Sequence, residues 1–379
     1  MSQAVPAPAQ PSSRTRRSAG GVAEAIAIPG AAIATSLVLY GVFVAAAGAP
    51  PFQVYYQIYR GAFGTWFSLQ NTMQRAAPLM LCALYVALPA HLGLIVIGGE
   101  GSLVLGGLTA VIVAHVCASS PPLLALATMA LAGALAGGLW AALAGYLRVA
   151  RGVNETISTL LLNYIAIAVF SHLVEGPLRD PASLNKPSTF PIGGGELLGD
   201  IPGMDVHWGL VYGIVCCVVA YLLVYRTVFG LAARIVGGNA RAALLGGLRV
   251  TRWVVAVCGV AGGCAGLAGM IEVAAVHGAA NSALIAGYGY TGFLVAFVAG
   301  HNPLAIIPVS LLLGGIDASG GLLQRSFGLP DASVKVLQGL LFVVILASES
   351  LYGQHLLGRL SLRTSHVLCR KVEREEGAA

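Results

Sequence analysis

Charge is what this sequence has least of. Asp, Glu, Lys and Arg make up 9% of its 379 residues, against about 25% in an ordinary soluble domain. Hydrophobic residues make up 57% and the mean hydropathy is +0.82. A chain so poor in charge cannot clothe a water-facing globule, so a soluble fold is excluded and an all-α polytopic membrane protein is expected. The machinery of nucleotide hydrolysis is missing as well: no GxxxxGK[ST] loop occurs, so the chain cannot be its own ATPase. No CxxC pair and no Cys/His spacing fits a metal site. The seven cysteines are Cys82, Cys117, Cys216, Cys217, Cys258, Cys264 and Cys369; six lie in or beside apolar segments and read as small packing residues. No nucleophile–base pair stands out. An enzyme is therefore not expected, and neither a metal nor a cofactor is called for. The net charge of +6 is not a nucleic-acid signal, because the basic residues sit in loops and tails, where orientation in the bilayer explains them.

What is present is a series of apolar runs. Residues 1–22 are a Pro/Ser/Ala-rich basic tail, residues 23–352 the membrane domain and residues 353–379 a charged C-terminal tail. Ten spans are expected: 23–48, 76–89, 91–115, 122–146, 154–173, 207–225, 253–273, 283–299, 303–316 and 333–351. Residues 51–73 are aromatic and amphipathic and suit a membrane interface. With both termini in the cytosol, the arginines of the N-terminal tail, 148–151, 226–252 and the C-terminal tail all fall inside. Arg60, Arg75 and Arg325 are the exceptions to this positive-inside pattern. The loop 174–206 is net acidic, rich in Pro and Gly, and suits the outside as an irregular segment with one helical turn.

Sliding the chain on itself by 177 residues aligns Gly137 and Gly138 with Gly314 and Gly315, Arg148 with Arg325, and Asn154 with Asp331. Each copy is a glycine-rich span, an Arg/Gly turn, a polar helix start and an apolar helix. The span count puts the two turns on opposite sides, which implies an inverted repeat of spans 2–5 against spans 7–10. Such repeats place a substrate path near the bilayer midplane.

The stretch Arg226–Arg252 is a basic interruption without a single acid. Within it Asn239 can cap a short helix over Ala240–Leu245, which Gly246 or Gly247 can end. A capped helix on a basic cytosolic loop is what a membrane protein presents to a soluble partner; Arg234, Asn239, Ala240, Arg241, Ala242 and Gly246 are the candidate contact residues. Four clusters stand out at membrane depth. Glu100, flanked by Gly98, Gly99 and Gly101, suggests a broken helix whose carboxylate either meets freed backbone N–H groups or serves transport. A proton relay through it would need a second acid or His at depth, and none is evident. Asn154 and Glu155 read as ordinary capping, whereas Ser158 and Asn163 share one face of the apolar helix that follows and need partners there. Tyr288 and Tyr290, in a glycine-rich helix start, can pack or can stack on a planar or sugar-like ligand. Finally, Gly259, Gly262, Gly263 and Gly266 make overlapping GxxxG spacings, a mark of close helix packing.

Taken in order, IGGEGSLVLGGL (97–108), NETISTLLLNYIA (154–166), GGNARAALLGGLRV (237–250) and GYGYTGFLVAF (287–297) resemble the membrane permeases of bacterial ABC importers in the branched-chain amino-acid/simple-sugar permease superfamily. The nucleoside-importing branch, with a basic-membrane-protein-type lipoprotein as receptor, matches best. The resemblance covers about residues 75–350. Val96 stands where that family usually has Asn and Gly99 where it has Ala; Glu100 is retained. The resemblance implies a plasma-membrane permease subunit that moves nucleosides or related simple sugars by alternating access. It also implies cytosolic ATPase subunits, a second and usually different permease chain, and an extracytoplasmic lipoprotein receptor. Glu100, Ser158, Asn163, Tyr288 and Tyr290 are the residues expected to line the path. The residues alone leave open an ion- or proton-coupled secondary transporter using Glu100, and a membrane scaffold without transport.

Overall fold

A computed structural model describes residues 19–183 and 185–348, with side chains from residue 30 onward. The expected basic tail (but for its last few residues, Ala19–Val22, which are helical) and the C-terminal tail lie outside the described residues. Secondary structure is helical throughout: α1 (Ala19–Ala46), α2 (Pro51–Phe63), α3 (Trp66–Ala90), α4 (Gly99–Val116), α5 (Pro122–Arg151), α6 (Glu155–Glu175), α7 (Gly209–Arg226), α8 (Val228–Gly238), α9 (Ala240–Leu245), α10 (Val250–Ile271), α11 (Tyr288–Val298), α12 (Pro303–Ala318), α13 (Gly320–Phe327) and α14 (Ala332–Ser348). Isolated bridges occur, but no strand is formed among the described residues.

Seven helices among the described residues are long and apolar enough to cross a membrane: α3, α4, α5, α6, α7, α10 with the turn after it, and α12 with α13. The chain is thus a multi-pass helical membrane protein. Three of the ten expected segments fall short as single helices. The first qualifies only if Gly30–Ala46 is taken together with α2 as one broken span, and Ser282–Val298 and Ala332–Ser348 are shorter apolar helices. The segment at 283–299 is short because Gly287, at φ +84°, breaks it and α11 starts only at Tyr288. The second expected span also begins earlier than its apolar run suggests. Thr65 caps α3 by accepting from Ser68 N at 3.1 Å, so polar residues 66–75 are already helical. Residues 51–63 form the amphipathic α2, which buries Val54, Ile58, Gly61 and Ala62 and exposes Phe52, Tyr56 and Tyr59.

The described chain divides into two compact units. The smaller joins the chain up to Phe43 with the chain from Gly339; within it the buried Ser36 hydroxyl donates to Ala32 O at 2.8 Å. The larger, Val44–Gln338, contains every site discussed below. Its centre is α10, which packs against α5, α4 and α3. The glycine spacings in α10 make this possible. A Cβ on Gly137 of α5 would lie 2.5 Å from Gly262 O, and one on Gly138 would lie 2.8 Å from Gly259 O. Without side chains at these positions the backbones of α5 and α10 touch, and dispersion over the contact replaces the hydrophobic drive that lipid removes. The α5–α6 corner is built by local chemistry. Gly152 ends α5 in the left-handed region with its N–H on Arg148 O at 3.1 Å. Asn154 then caps α6 by accepting from Thr156 N and Ile157 N at 2.9 and 3.2 Å, and Arg148 pairs with Glu155 at 3.2 Å. The 174–206 loop is irregular, with one 3-10 turn at Gly194–Glu196.

Candidate functional site

Two regions carry the residues singled out by the sequence. The first is the basic segment after α7. Asn239 is extended (φ −157°, ψ 102°), and its side-chain oxygen accepts from Arg241 N and Ala242 N at 3.0 and 3.1 Å. That cap starts α9 over Ala240–Leu245; Gly246 closes it with its N–H on Ala242 O, and Gly247 turns the chain away at φ +81°. Ala240, Arg241 and Ala242 are exposed, and Arg241 has no ion pair among the described residues. Arg234 is exposed but turned back on its own element: its Nε donates to Gly230 O at 3.2 Å and its guanidinium lies 5.7 Å over the Tyr225 ring. The most exposed apolar side chain here is Leu245, 91% accessible, beside the exposed Leu244. These two leucines belong with Arg241 at the tip of the segment; their placement on a basic loop was the available signal.

The segment is seated on a specific neighbour. A Cβ on Gly237 would lie 2.6 Å from His91 O and 2.8 Å from Leu92 Cα, so α8 ends in backbone contact with the turn after α3. The His91 ring meets Tyr225 edge-on at 5.9 Å. Burial holds the His91 imidazole below its ordinary pKa, a bond to the His301 backbone opposes this, and Arg234 adds to the lowering. His301, the one described non-glycine residue at positive φ (57°), is lowered by burial and by His91.

The second region lies at the start of α4. The helix break expected around Gly98–Gly101 falls before Gly99; residues 94–98 have no regular secondary structure. Glu100 is fully buried in the first turn of α4. Its two oxygens accept from Gly287 N at 2.7 Å and Gly289 N at 2.6 Å. These N–H groups open α11, so Glu100 is the anionic cap of a different helix. Gly289 is required there, because a Cβ would come within 2.7 Å of Glu100 Cα. Asn163 is also fully buried: its oxygen accepts from Gly101 N at 2.5 Å and its amide donates to Tyr290 OH at 2.8 Å. The segment 94–98 is tied to α6 by Ile97 N on the Thr159 hydroxyl at 3.2 Å and by the Thr156 hydroxyl on Ile95 O at 2.8 Å. Glu100, Asn163 and Tyr290 are therefore brought together around one junction. Ser158, though buried, bonds only within α6 among the described residues, to Glu155 O at 3.1 Å. Tyr288 is buried and Tyr290 half-open; two residues apart on a helix, they face opposite ways.

Two further acids, each a carboxylate at the end of an apolar run, are buried: Glu272 and Asp317. Asp317 accepts from Arg75 at 2.7 Å and from Lys335 at 2.6 Å.

An all-helical multi-pass bundle with a buried polar junction where α4 and α11 begin and a capped, exposed helix on a basic loop fits the class of membrane permeases. The comparisons agree. Residues 68–346 match the family described as branched-chain amino acid transport system / permease component, and the chain belongs to that family as a permease subunit of an ABC importer. It is similar to the glucose ABC transporter permease protein TsgB13 of Haloferax volcanii, 30% identical over 84% of this chain and 86% of that protein. The guanosine ABC transporter permease protein NupP of Bacillus subtilis is 26% identical over 78% of this chain and 86% of its own. The nucleoside ABC transporter permease protein NupB of Lactococcus lactis is 25% identical over 82% and 88%. No solved structure matches the chain significantly.

Proposed function

We propose that this permease imports nucleosides or simple sugars by alternating access, and that residues 226–252 receive the stroke of cytosolic ATPase subunits. The names of the relatives motivate the substrate class: one is a glucose permease and two are guanosine or nucleoside permeases. The single observation that carries the coupling reading is the seat of α8 on the turn after α3, with the exposed tip of Arg241, Leu244 and Leu245 beyond it. A push on α9 reaches the His91–Leu92 backbone through α8. From there the segment 94–98 leads to Glu100, which holds the start of α11. A movement of the loop is thereby passed to the two helix ends that face each other at membrane depth.

In this reading residues 23–352 form the permease domain in a plasma (inner) membrane, with both termini cytosolic and about ten crossings. Those are the seven long helices, α1 with α2, and the shorter Ser282–Val298 and Ala332–Ser348. The inverted repeat is supported by element order: α5 followed by α6 corresponds to α12–α13 followed by α14, and both turns hold a left-handed glycine, Gly152 and Gly328. Asn163 and Tyr290 face the path, Tyr288 packs on the opposite side of α11, Ser158 borders the path, and Glu100 braces it. A second, different permease chain and an extracytoplasmic lipoprotein receptor complete the importer. Uptake of labelled uridine, guanosine and glucose by cells with and without the chain tests the reading. Uptake should persist when an uncoupler is added and ATP is maintained. Collapse under those conditions would instead support a proton-coupled carrier using Glu100.

A further inference from the structure

The loop 174–206 is seated on the chain between α10 and α11, and the seat is made largely by backbone. Residues Glu272–His277 form a π-helical turn, a rare element that recurs at functional sites. In it Gly278 N bonds Val273 O, five residues back, at 2.8 Å. The Ala274 carbonyl, which an α-helix would give to Gly278, is left for Leu198 N of the loop, also at 2.8 Å. Ile192 N donates to Gly278 O at 2.8 Å and Thr189 N to Ala280 O at 2.9 Å. Thr189 also closes this pair in the other direction: its buried hydroxyl accepts from Ala280 N at 3.0 Å. Ser188 and Asn281 form an antiparallel bridge beside it.

Both sides of the seat are braced. On the loop, Glu196 is buried and accepts from Gly193 N at 3.0 Å, which closes the turn between Ile192 and Leu198. On the other side, Asn281 starts a 3-10 turn over Ser282–Leu284 by accepting from Ala283 N at 2.9 Å. Leu284 is 1% exposed. It fills the space over Gly107 of α4, where a Cβ would lie 2.7 Å from its Cδ2. Gly287 N is then held by Glu100 at 2.7 Å. The stretch 278–287, bounded by left-handed glycines at φ +63° and +84°, is thus fastened to the loop at one end and to the Glu100 junction at the other. The last part of the loop is fastened elsewhere, to α3, where Gln74 Nε2 donates to Asp205 O at 2.5 Å.

We infer that residues 188–198 and 274–287 move as one body with the start of α11, and that Thr189 is the positioning residue that locks them together. A displacement of α11 against Glu100 passes through Leu284 and the seat to the loop. Buried hydrogen bonds suit this transmission, because a bond broken there has no water to replace it. On the proposed topology the loop is external. The device therefore moves the outer surface in step with the junction that segment 94–98 reaches from the cytosolic side. A loop that only covered helix ends would need neither the second bond to Ala280 nor a carbonyl freed by a π-helical turn. The inference rests on the importer reading above.

The test is hydrogen–deuterium exchange in the assembled importer in nanodiscs, without nucleotide and trapped with ATP and vanadate. In the unaltered chain, exchange in 187–198 and in 274–290 should change together between the two states. Thr189→Val removes the hydroxyl but keeps the side-chain shape and the backbone bonds. It should speed exchange within 274–284 about fivefold, the loss of one hydrogen bond. It should also weaken the nucleotide-dependent change in 187–198 while the change at 285–290 persists. Thr189→Ser, which keeps the oxygen, should restore the joint response. A change at 285–290 with none in 187–198 of the unaltered chain would overturn the inference. So would no change in either region while ATP-driven uptake proceeds. A Thr189→Val chain whose two regions still respond in step, whatever its thermal midpoint, would show a merely structural threonine and overturn its role. Failure of ATP-driven uptake by the unaltered complex would instead remove the importer reading beneath it.

Discussion

Two short helices of this protein are started by a borrowed oxygen, and they differ in where it comes from. Helix α9 is capped by Asn239, its own preceding residue, in water. Helix α11 is capped by Glu100, 187 and 189 residues away in sequence from the N–H groups it binds, in a fully buried setting. A local cap in water is worth about 1 kcal/mol and mostly sets geometry. A buried carboxylate on two N–H groups is a stronger tie, because neither partner has water as an alternative. On the proposed coupling, the pair would divide the protein's work: the exposed cap would shape a surface that engages a partner, and the buried one would fix which two elements move together.

Removing the buried cap should have the largest effect. Glu100→Ala leaves the Gly287 and Gly289 N–H groups unpaired and should cost about 3 kcal/mol or more, read as a lower thermal midpoint in detergent together with loss of uptake. Glu100→Gln keeps one acceptor and should lose about half as much. An Ala variant as stable as the parent would mean that the two caps are equivalent. Next comes the link between the regions. Gly237→Val drives a side chain into the His91 carbonyl and should cost about 1–3 kcal/mol of misfit. Transport should fall while ATP hydrolysis by the assembled importer continues; loss of both together would show that the seat is merely structural. The exposed cap should respond least in stability: Asn239→Ala should cost about 1 kcal/mol and Asn239→Asp almost nothing, with uptake following the same order.

A smaller effect should appear with pH. Burial lowers the pKa of both His91 and His301, so the unfolded chain binds more protons than the folded one once pH falls below the ordinary histidine value of about 6.5. Their contribution to stability is complete above that value and is lost as pH falls toward the lowered folded values. Unfolding midpoints should therefore drop below about pH 6.5, and less so in His91→Gln. An identical pH profile in that variant would place the acid sensitivity elsewhere.

The same contrast explains what could be read in advance. The α9 cap, its glycine stop and the α6 cap at Asn154 all depend on residues within a few positions, and composition is enough to mark the membrane class. The glycine seam of α10 was legible because its spacing repeats along one helix. Glu100 was marked as important, but its partners were not, since nothing local in GYGYTG names a carboxylate so far back in the chain. The Asp317 cluster went unseen for a similar reason: Arg75, Asp317 and Lys335 look like stray charges until three helices bring them within 2.7 Å. Span lengths were misjudged where a polar helix start or a positive-φ glycine shifted a boundary that hydropathy alone cannot mark.

The central claim is that the capped loop transmits the work of a partner ATPase. Deleting Asn239–Gly246 and following ATP-driven solute uptake in membranes containing equal amounts of inserted permease tests it most directly. Uptake should disappear while insertion and the helical fold are retained. Uptake that survives the deletion would contradict it.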